Sequence, residues 1–304
     1  MSNGLNGERL TKNERREQAR ENARQLREEQ KKKDRRNRLF LQGGIILGVV
    51  AVAAIVVLLI VTSVRPAGPG PRNMASGGIQ FTTGFEVTST PALVEGAELV
   101  PNAPSEDPDV LNIQVWVDYL CPYCNVFEQT NQEYINSLVD SGAATLEVFP
   151  VAILDRLSLS TKYSTRAANA AACVADSSPE SFMAFHASLF ANQPGESTAG
   201  LDDSELVQLA KDAGATSQAV ADCITSKRFQ PFVTAATSAA VNNSALVNPT
   251  NGGFGTPTIL VNGQRYDGGL SDADAFKAFL VQVAGAAFVE EETSTPTPTP
   301  TATP

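Results

Sequence analysis

Leu111-Asn-Ile-Gln-Val-Trp-Val117, followed at once by Asp118-Tyr-Leu-Cys-Pro-Tyr-Cys-Asn-Val-Phe-Glu128, is the stretch on which the reading of this 304-residue chain turns. The first seven residues are β-branched and largely apolar, as in a buried strand. Pro122 then suits the first turn of a helix, where its missing N–H costs nothing. The helix is predicted to run to about Val139 and to stop at Ser141-Gly142. Cys121 and Cys124 therefore fall where a strand gives way to a helix.

A Cys-x-x-Cys pair can be half a zinc site, a staple or a redox pair. Zinc takes four ligands. The other two cysteines, Cys173 and Cys223, are far apart, and His186 is the only histidine. No metal and no cofactor is expected. The redox reading accounts for the setting: free N–H groups at a helix start favour a thiolate. In such places a cysteine pKa falls from ~8.5 to ~3.5–7.5. Cys121 is then expected to be exposed enough to attack, and Cys124, one turn on and more buried, to resolve the mixed disulfide.

Outward from this motif, Ile79–Thr88 is read as a first, edge strand and Thr145–Ile153 as another. Residues 158–245 are Ala-rich and mostly helical, with breaks at Pro179, Pro194-Gly195, Gly214 and Pro231. Pro257–Val261 and Gln264–Asp267 flank Asn262-Gly263, a strong type I′ hairpin signal. Ser271 is expected to cap a last helix, with Asp274 three residues on as in a capping box. Without its helical block, this order is the β-α-β…β-β-α order of a thioredoxin fold. The fold class is thus α/β: a thioredoxin fold with an inserted helical subdomain, preceded by a single transmembrane helix.

That helix is assigned to Leu39–Val64, a run of 26 residues with no charge. About 20 helical residues cross a bilayer. A cleaved signal peptide would carry a shorter apolar region of ~7–15 residues. Residues 1–38 hold 13 Lys and Arg against 7 Asp and Glu, whereas the rest holds 10 against 26. The basic cluster Lys31–Arg38 precedes the span and only Arg65 and Arg72 follow closely. The positive-inside bias puts the N-terminus in the cytoplasm and the remainder outside. The acidic body speaks against nucleic acid as a partner. The segment before the span mixes charges without an apolar stripe, as a solvated helix or arm does. Residues 65–78 have linker composition, 79–288 form the folded domain with its helical insertion at about 155–248, and 289–304 is a Thr/Pro-rich tail that cannot pack.

The stretch Asp118–Glu128 resembles the active site of the DsbA-like thioredoxin superfamily of bacterial disulfide oxidoreductases, and the resemblance covers about 110–286. Gly255-Thr256-Pro257-Thr258 stands where that family has its cis-proline loop. Phe182-Met-Ala-Phe185-His-Ala-Ser-Leu-Phe190 and Asn192-Gln193-Pro194 match its inserted block. The resemblance implies that Cys121 is the nucleophile and Cys124 the resolving thiol. Pro122, Tyr123, Thr256 and Pro257 would form the active-site loop and substrate-binding surface. Glu128, matching a carboxylate seen after the motif in such enzymes, and Asp118 are candidate proton relays. One departure is Val115, which occupies the position six before the first cysteine where thioredoxins bury an acid. Cys173 and Cys223, 50 positions apart, are expected to form a structural disulfide outside the cytoplasm, and His186 to be a core residue.

The implied activity is disulfide-forming oxidation of extracytoplasmic proteins from a single-pass anchor in a bacterial cell membrane. Its partners would be cysteine-containing secreted or surface proteins, and a membrane or small-molecule redox partner for recycling. A reductase or isomerase on the same scaffold, or a redox-silent peptide-binding module, are the alternatives.

Overall fold

A computed structural model describes residues 69–294, with side chains as far as residue 285. The expected segments 1–38 and 39–64 lie outside the described residues, as do 295–304. Among the described residues, no helix is long and apolar enough to cross a membrane.

Six strands form one sheet in the order β2-β1-β4-β3-β5-β6. They are β1 (Ile79–Thr82), β2 (Glu86–Val87), β3 (Leu111–Val117), β4 (Ala144–Pro150), β5 (Thr258–Val261) and β6 (Gln264–Arg265). β3 is flanked by β4, parallel to it with Leu111 opposite Ala144, and by β5, antiparallel with Ile113 opposite Val261. Parallel neighbours need a long crossover, supplied here by helix α1 (Pro122–Ser141). Gly142 ends α1 in the left-handed conformation (φ 80°), and a Cβ there would come within 2.8 Å of the Thr83 hydroxyl. Only glycine satisfies both demands.

Alternation along β3 divides the core. Ile113, Val115 and Val117 face α1 through Phe127, Ile135 and Val139, and α7 (Ala273–Ser294) adds Phe276 edge-on to Phe127. Trp116 points to the other face, stacked on Phe149 at 4.2 Å and joined by Leu260, Ala240 and Leu246. Covering both faces of a sheet in this way is the layer arrangement that α/β chains reach.

The insertion between β4 and β5 contains α2 (Tyr163–Ser177), α3 (Phe182–Ala191), α4 (Asp203–Asp212), α5 (Gln218–Ser226) and α6 (Gln230–Asn242). α2 is buried almost along its whole length, Ala167, Ala168, Ala170, Ala171 and Ala172 giving the neighbouring helices room to close on it. Cys173 of α2 and Cys223 of α5 are joined by a disulfide.

Four expectations need correction. Residues 79–88 are not one strand: a 3-10 turn at Thr83–Phe85 folds β2 back on β1 at the sheet edge. Residues 69–78 do not all behave as linker. Met74 is buried, and the Arg72 guanidinium and backbone N–H bond Asp176. Glycine and proline forbid regular structure there without forbidding packing. The last helix is capped by Asp272, whose carboxylate accepts from the Ala275 N–H at 3.0 Å, instead of by Ser271. It also runs to Ser294, past the expected boundary at 288. Asn262 and Gly263 both have positive φ, as the I′ hairpin requires.

Candidate active site

The site forms at the carboxyl end of β3. The chain leaves the strand in a double turn: the Asp118 carboxylate accepts the Leu120 N–H (2.9 Å) while its carbonyl accepts the Cys121 N–H (2.9 Å). Cys121 thereby becomes the N-cap of α1 in extended backbone, with Pro122 in the first turn. Its carbonyl accepts from the N–H groups of Cys124 (3.1 Å) and Asn125 (3.3 Å).

The Cys121 sulfur lies under the loop before β5, where Thr256–Pro257 is a cis peptide and the Thr256 carbonyl accepts from Sγ at 3.2 Å. Both cysteines are free thiols. Cys121 is only 4% exposed, which corrects the expectation of an open nucleophile. The cis-proline loop and its own helix cover it, whereas Pro122 and Tyr123 beside it stand out into solvent, Tyr123 by 66%.

The two thiols are pushed in opposite directions. Cys121 is lowered from 9.0 to about 7, first by a hydrogen bond from the Cys124 thiol, against burial, and then by the Thr256 side chain and the N–H groups of Cys124 and Tyr123. The helix start contributes, but the neighbouring thiol contributes more. Cys124 is fully buried, and burial first, then the Cys121 sulfur, hold its thiol far up. A sulfur ionising near neutrality beside one that keeps its proton is the arrangement that thiol–disulfide exchange uses.

The expected acids take different places. Val115 is buried between Val148 and Ile259, so β3 carries no carboxylate beside the cysteines at that level. Asp118 is sealed off, with its second oxygen accepting the N–H groups of Ile153 (2.8 Å) and Leu154 (2.9 Å). Burial raises it from 3.8 to about 6 despite these bonds. Glu128, four residues after Cys124, is buried beside His186 and is not an exposed helix residue. His186 is a core residue: its Nδ1 lies 3.0 Å from the Tyr119 hydroxyl. Its Nε2 is 3.3 Å from Glu128 Oε2, close enough to pair when the ring is charged but without hydrogen-bond alignment.

One participant was not singled out from the sequence as a site residue. Gln193, just past α3, donates from Nε2 to the carbonyls of Tyr119 (3.1 Å) and Cys121 (2.9 Å). Its Oε1 accepts from Asn125 (3.2 Å). The stretch Asn192-Gln193-Pro194 marked it only as part of a resembling segment, since nothing in a linear pattern says that a side chain 72 residues away reaches back to Cys121.

Comparison with known proteins gives a consistent picture. A family model described as thioredoxin matches residues 107–281. The crystal structure of reduced DsbA from Mycobacterium tuberculosis is 31% identical, covering 72% of this chain and 100% of that one, with a TM-score of 0.51. The reduced disulfide bond oxidoreductase DsbG of the same organism is 32% identical over 76% and 97%, also at 0.51. A shorter match, 33% identical over 118 residues, is to the serine/threonine-protein kinase PknE of that bacterium; it covers 38% of this chain and spans only 21% of the kinase's length.

Proposed function

The chain belongs to the DsbA-like branch of the thioredoxin superfamily, and from that premise we propose that it is a protein thiol–disulfide oxidoreductase that makes disulfides in extracytoplasmic proteins. The observation that carries this reading is the opposed pair: a Cys121 thiol drawn down to about 7 beside a Cys124 thiol held up by burial.

In the oxidised enzyme Cys121 and Cys124 share a bond. A client thiolate attacks Cys121 Sγ, and Cys124 leaves and takes a proton into its buried site. A second client thiolate then attacks the client sulfur of the mixed disulfide and releases Cys121 as a thiolate. Two electrons have passed from client to enzyme, leaving Cys124 protonated and Cys121 as a thiolate, and an external oxidant must remove those electrons. A low-pKa thiolate is a good leaving group, so the last step favours the client disulfide. Thr256 and Pro257 offer backbone to the client strand, with Pro122 and Tyr123 as the exposed surface beside it. Because Cys121 is covered, the client is read as displacing the contact between its sulfur and the Thr256 carbonyl on docking.

Extracytoplasmic action is supported by the Cys173–Cys223 disulfide, since such bonds persist where the surroundings oxidise. It is also supported by the basic segment ahead of the charge-free run 39–64. Clients are then secreted or surface proteins with paired cysteines, and the recycling oxidant is a membrane or small-molecule partner.

The test is oxidation of a reduced, unfolded client by stoichiometric oxidised enzyme. Wild type should transfer its disulfide, and Cys121→Ser should not. Cys124→Ser, first charged at Cys121 as a mixed disulfide with glutathione, should exchange glutathione for the client and accumulate the Cys121–client disulfide. Equilibration with glutathione should give a potential above about −200 mV, on the oxidising side of the family's range. A value near that of thioredoxin, about −270 mV, would make the protein a reductase. Unchanged client binding by Cys121→Ser with no transfer by wild type would make it a peptide-binding module.

A further inference from the structure

We propose that Gln193 is a positioning residue of the redox centre: from the helical insertion its carboxamide grips the Tyr119 and Cys121 carbonyls and keeps the Cys121 sulfur aligned with the first N–H groups of α1. The inference rests on the oxidoreductase reading of the cysteine pair but concerns a residue outside the motif.

The carboxamide is fully used. Both donated bonds go to main-chain carbonyls of the active-site turn, and its oxygen takes Asn125 of α1. One side chain therefore spans the end of β3, the N-cap and the first turn of the helix. Gln193 is itself held in place by its N–H bond to the Phe190 carbonyl (3.2 Å), and Phe190 packs on the Tyr119 ring at 5.2 Å. The insertion thus holds Tyr119 at three points, the ring through Phe190, the hydroxyl through His186 and the carbonyl through Gln193. Asp118 fixes Leu120 and Cys121 from below, and the Cys121 carbonyl also accepts the Cys124 and Asn125 N–H groups; Gln193 adds the bonds that tie this carbonyl and that of Tyr119 to the insertion.

The consequence is chemical because hydrogen bonds to a charged sulfur reward alignment steeply. A looser N-cap lets the Tyr123 and Cys124 N–H groups drift from Sγ. The titratable group facing that sulfur is the Cys124 thiol, on the same helix; the loop before β5 contributes Thr256, which does not titrate. Loosening the turn therefore weakens every favourable contact of the thiolate while its burial stays. The two carbonyls lie beside a half-buried side chain, so water can replace Gln193 and the variant proteins are expected to fold.

The experiment follows alkylation of reduced, full-length protein by iodoacetamide from pH 5 to 9, with Cys121 quantified by mass spectrometry. Gln193→Met keeps the volume and removes all three bonds; Gln193→Glu keeps the shape and removes the donors. Both should move the midpoint upward by roughly half to one pH unit from about 7, which slows alkylation at pH 7 by about two- to fivefold. The limiting rate at high pH should not change. A tie that only joins the insertion to the sheet would lower the thermal midpoint and leave the alkylation midpoint where it was, and that result overturns the proposal. Should the larger changes fail to fold, Gln193→Asn, with donors one methylene short, gives the same decision. A wild-type protein that transfers no disulfide would sink the oxidoreductase reading and leave this comparison standing. Full transfer with an unmoved midpoint in the variants would sink this inference alone.

Discussion

Burial and hydrogen bonding compete at single residues, and each site group shows a different winner. At Cys121 the Cys124 thiol, Thr256 and two helix N–H groups outweigh desolvation. At Cys124 nothing does. At Asp118 three N–H bonds are not enough, and its carboxyl sits at about 6. A carboxyl whose folded pKa lies above its unfolded one stabilises the protein through its proton. That contribution is complete below about pH 4 and is lost as pH rises through about 6, by on the order of 2–3 kcal/mol. Asp118→Asn has no such proton to lose. Denaturant midpoints of wild type and variant should therefore shift in favour of the variant between pH 4 and 7, even if the Asn costs hydrogen bonds at every pH. A gap that does not change with pH would place the carboxyl near its ordinary 3.8. Its three backbone bonds also make Asp118 a better clamp between the cysteine turn and residues 153–154 than a carrier of protons.

Between elements, the insertion is tied to itself and to the sheet by few but well-placed bonds. Cys173–Cys223 joins α2 to α5, and Asn169, one turn before Cys173, accepts the Phe229 N–H at 2.8 Å to hold the start of α6. For a separation of 50 residues, loop entropy assigns the bridge at most about 4 kcal/mol. Replacing both cysteines by alanine should lower stability by up to that amount and leave the Cys121 alkylation profile unchanged. A profile that shifts as well would mean that the bridge helps to hold α3 and Gln193 in place. The elements legible in the sequence were those whose signal is local: the β3 run, Pro122 opening α1, Gly142 closing it, Asn262-Gly263. Those missed depend on a neighbour. The break in 79–88 reflects a chain folding back at a sheet edge, and the cap moved to Asp272 because only its carboxylate meets the Ala275 N–H. Likewise, the strand–helix junction announced a reactive sulfur, but its cover by Thr256 and its clamp by Gln193 come from 135 and 72 residues away.

For the molecule as a whole, the proposed disulfide-donating role requires surroundings that oxidise. A buried dithiol that donates disulfides would be kept reduced among cytosolic thiols, and the Cys173–Cys223 bridge would be under the same pressure. The chain's charge is split accordingly, with six net positive charges before residue 39 and sixteen net negative charges after it. If 39–64 anchors the chain with the positive flank inside, three consequences follow together. The protein stays with membranes washed in alkaline carbonate. Protease added to intact wall-stripped cells removes the thioredoxin domain and spares the first 38 residues. An impermeant maleimide reaches reduced Cys121 from outside. Exchanging Lys31–Lys33, Arg35, Arg36 and Arg38 for glutamine should weaken that orientation, since the flank difference would then be nearly gone. Release by carbonate would remove the anchor but keep the enzyme. Retention with Cys121 protected until the cells are opened would reverse the topology, and with it the oxidising role, because a dithiol facing the cytoplasm is supplied with electrons and not relieved of them.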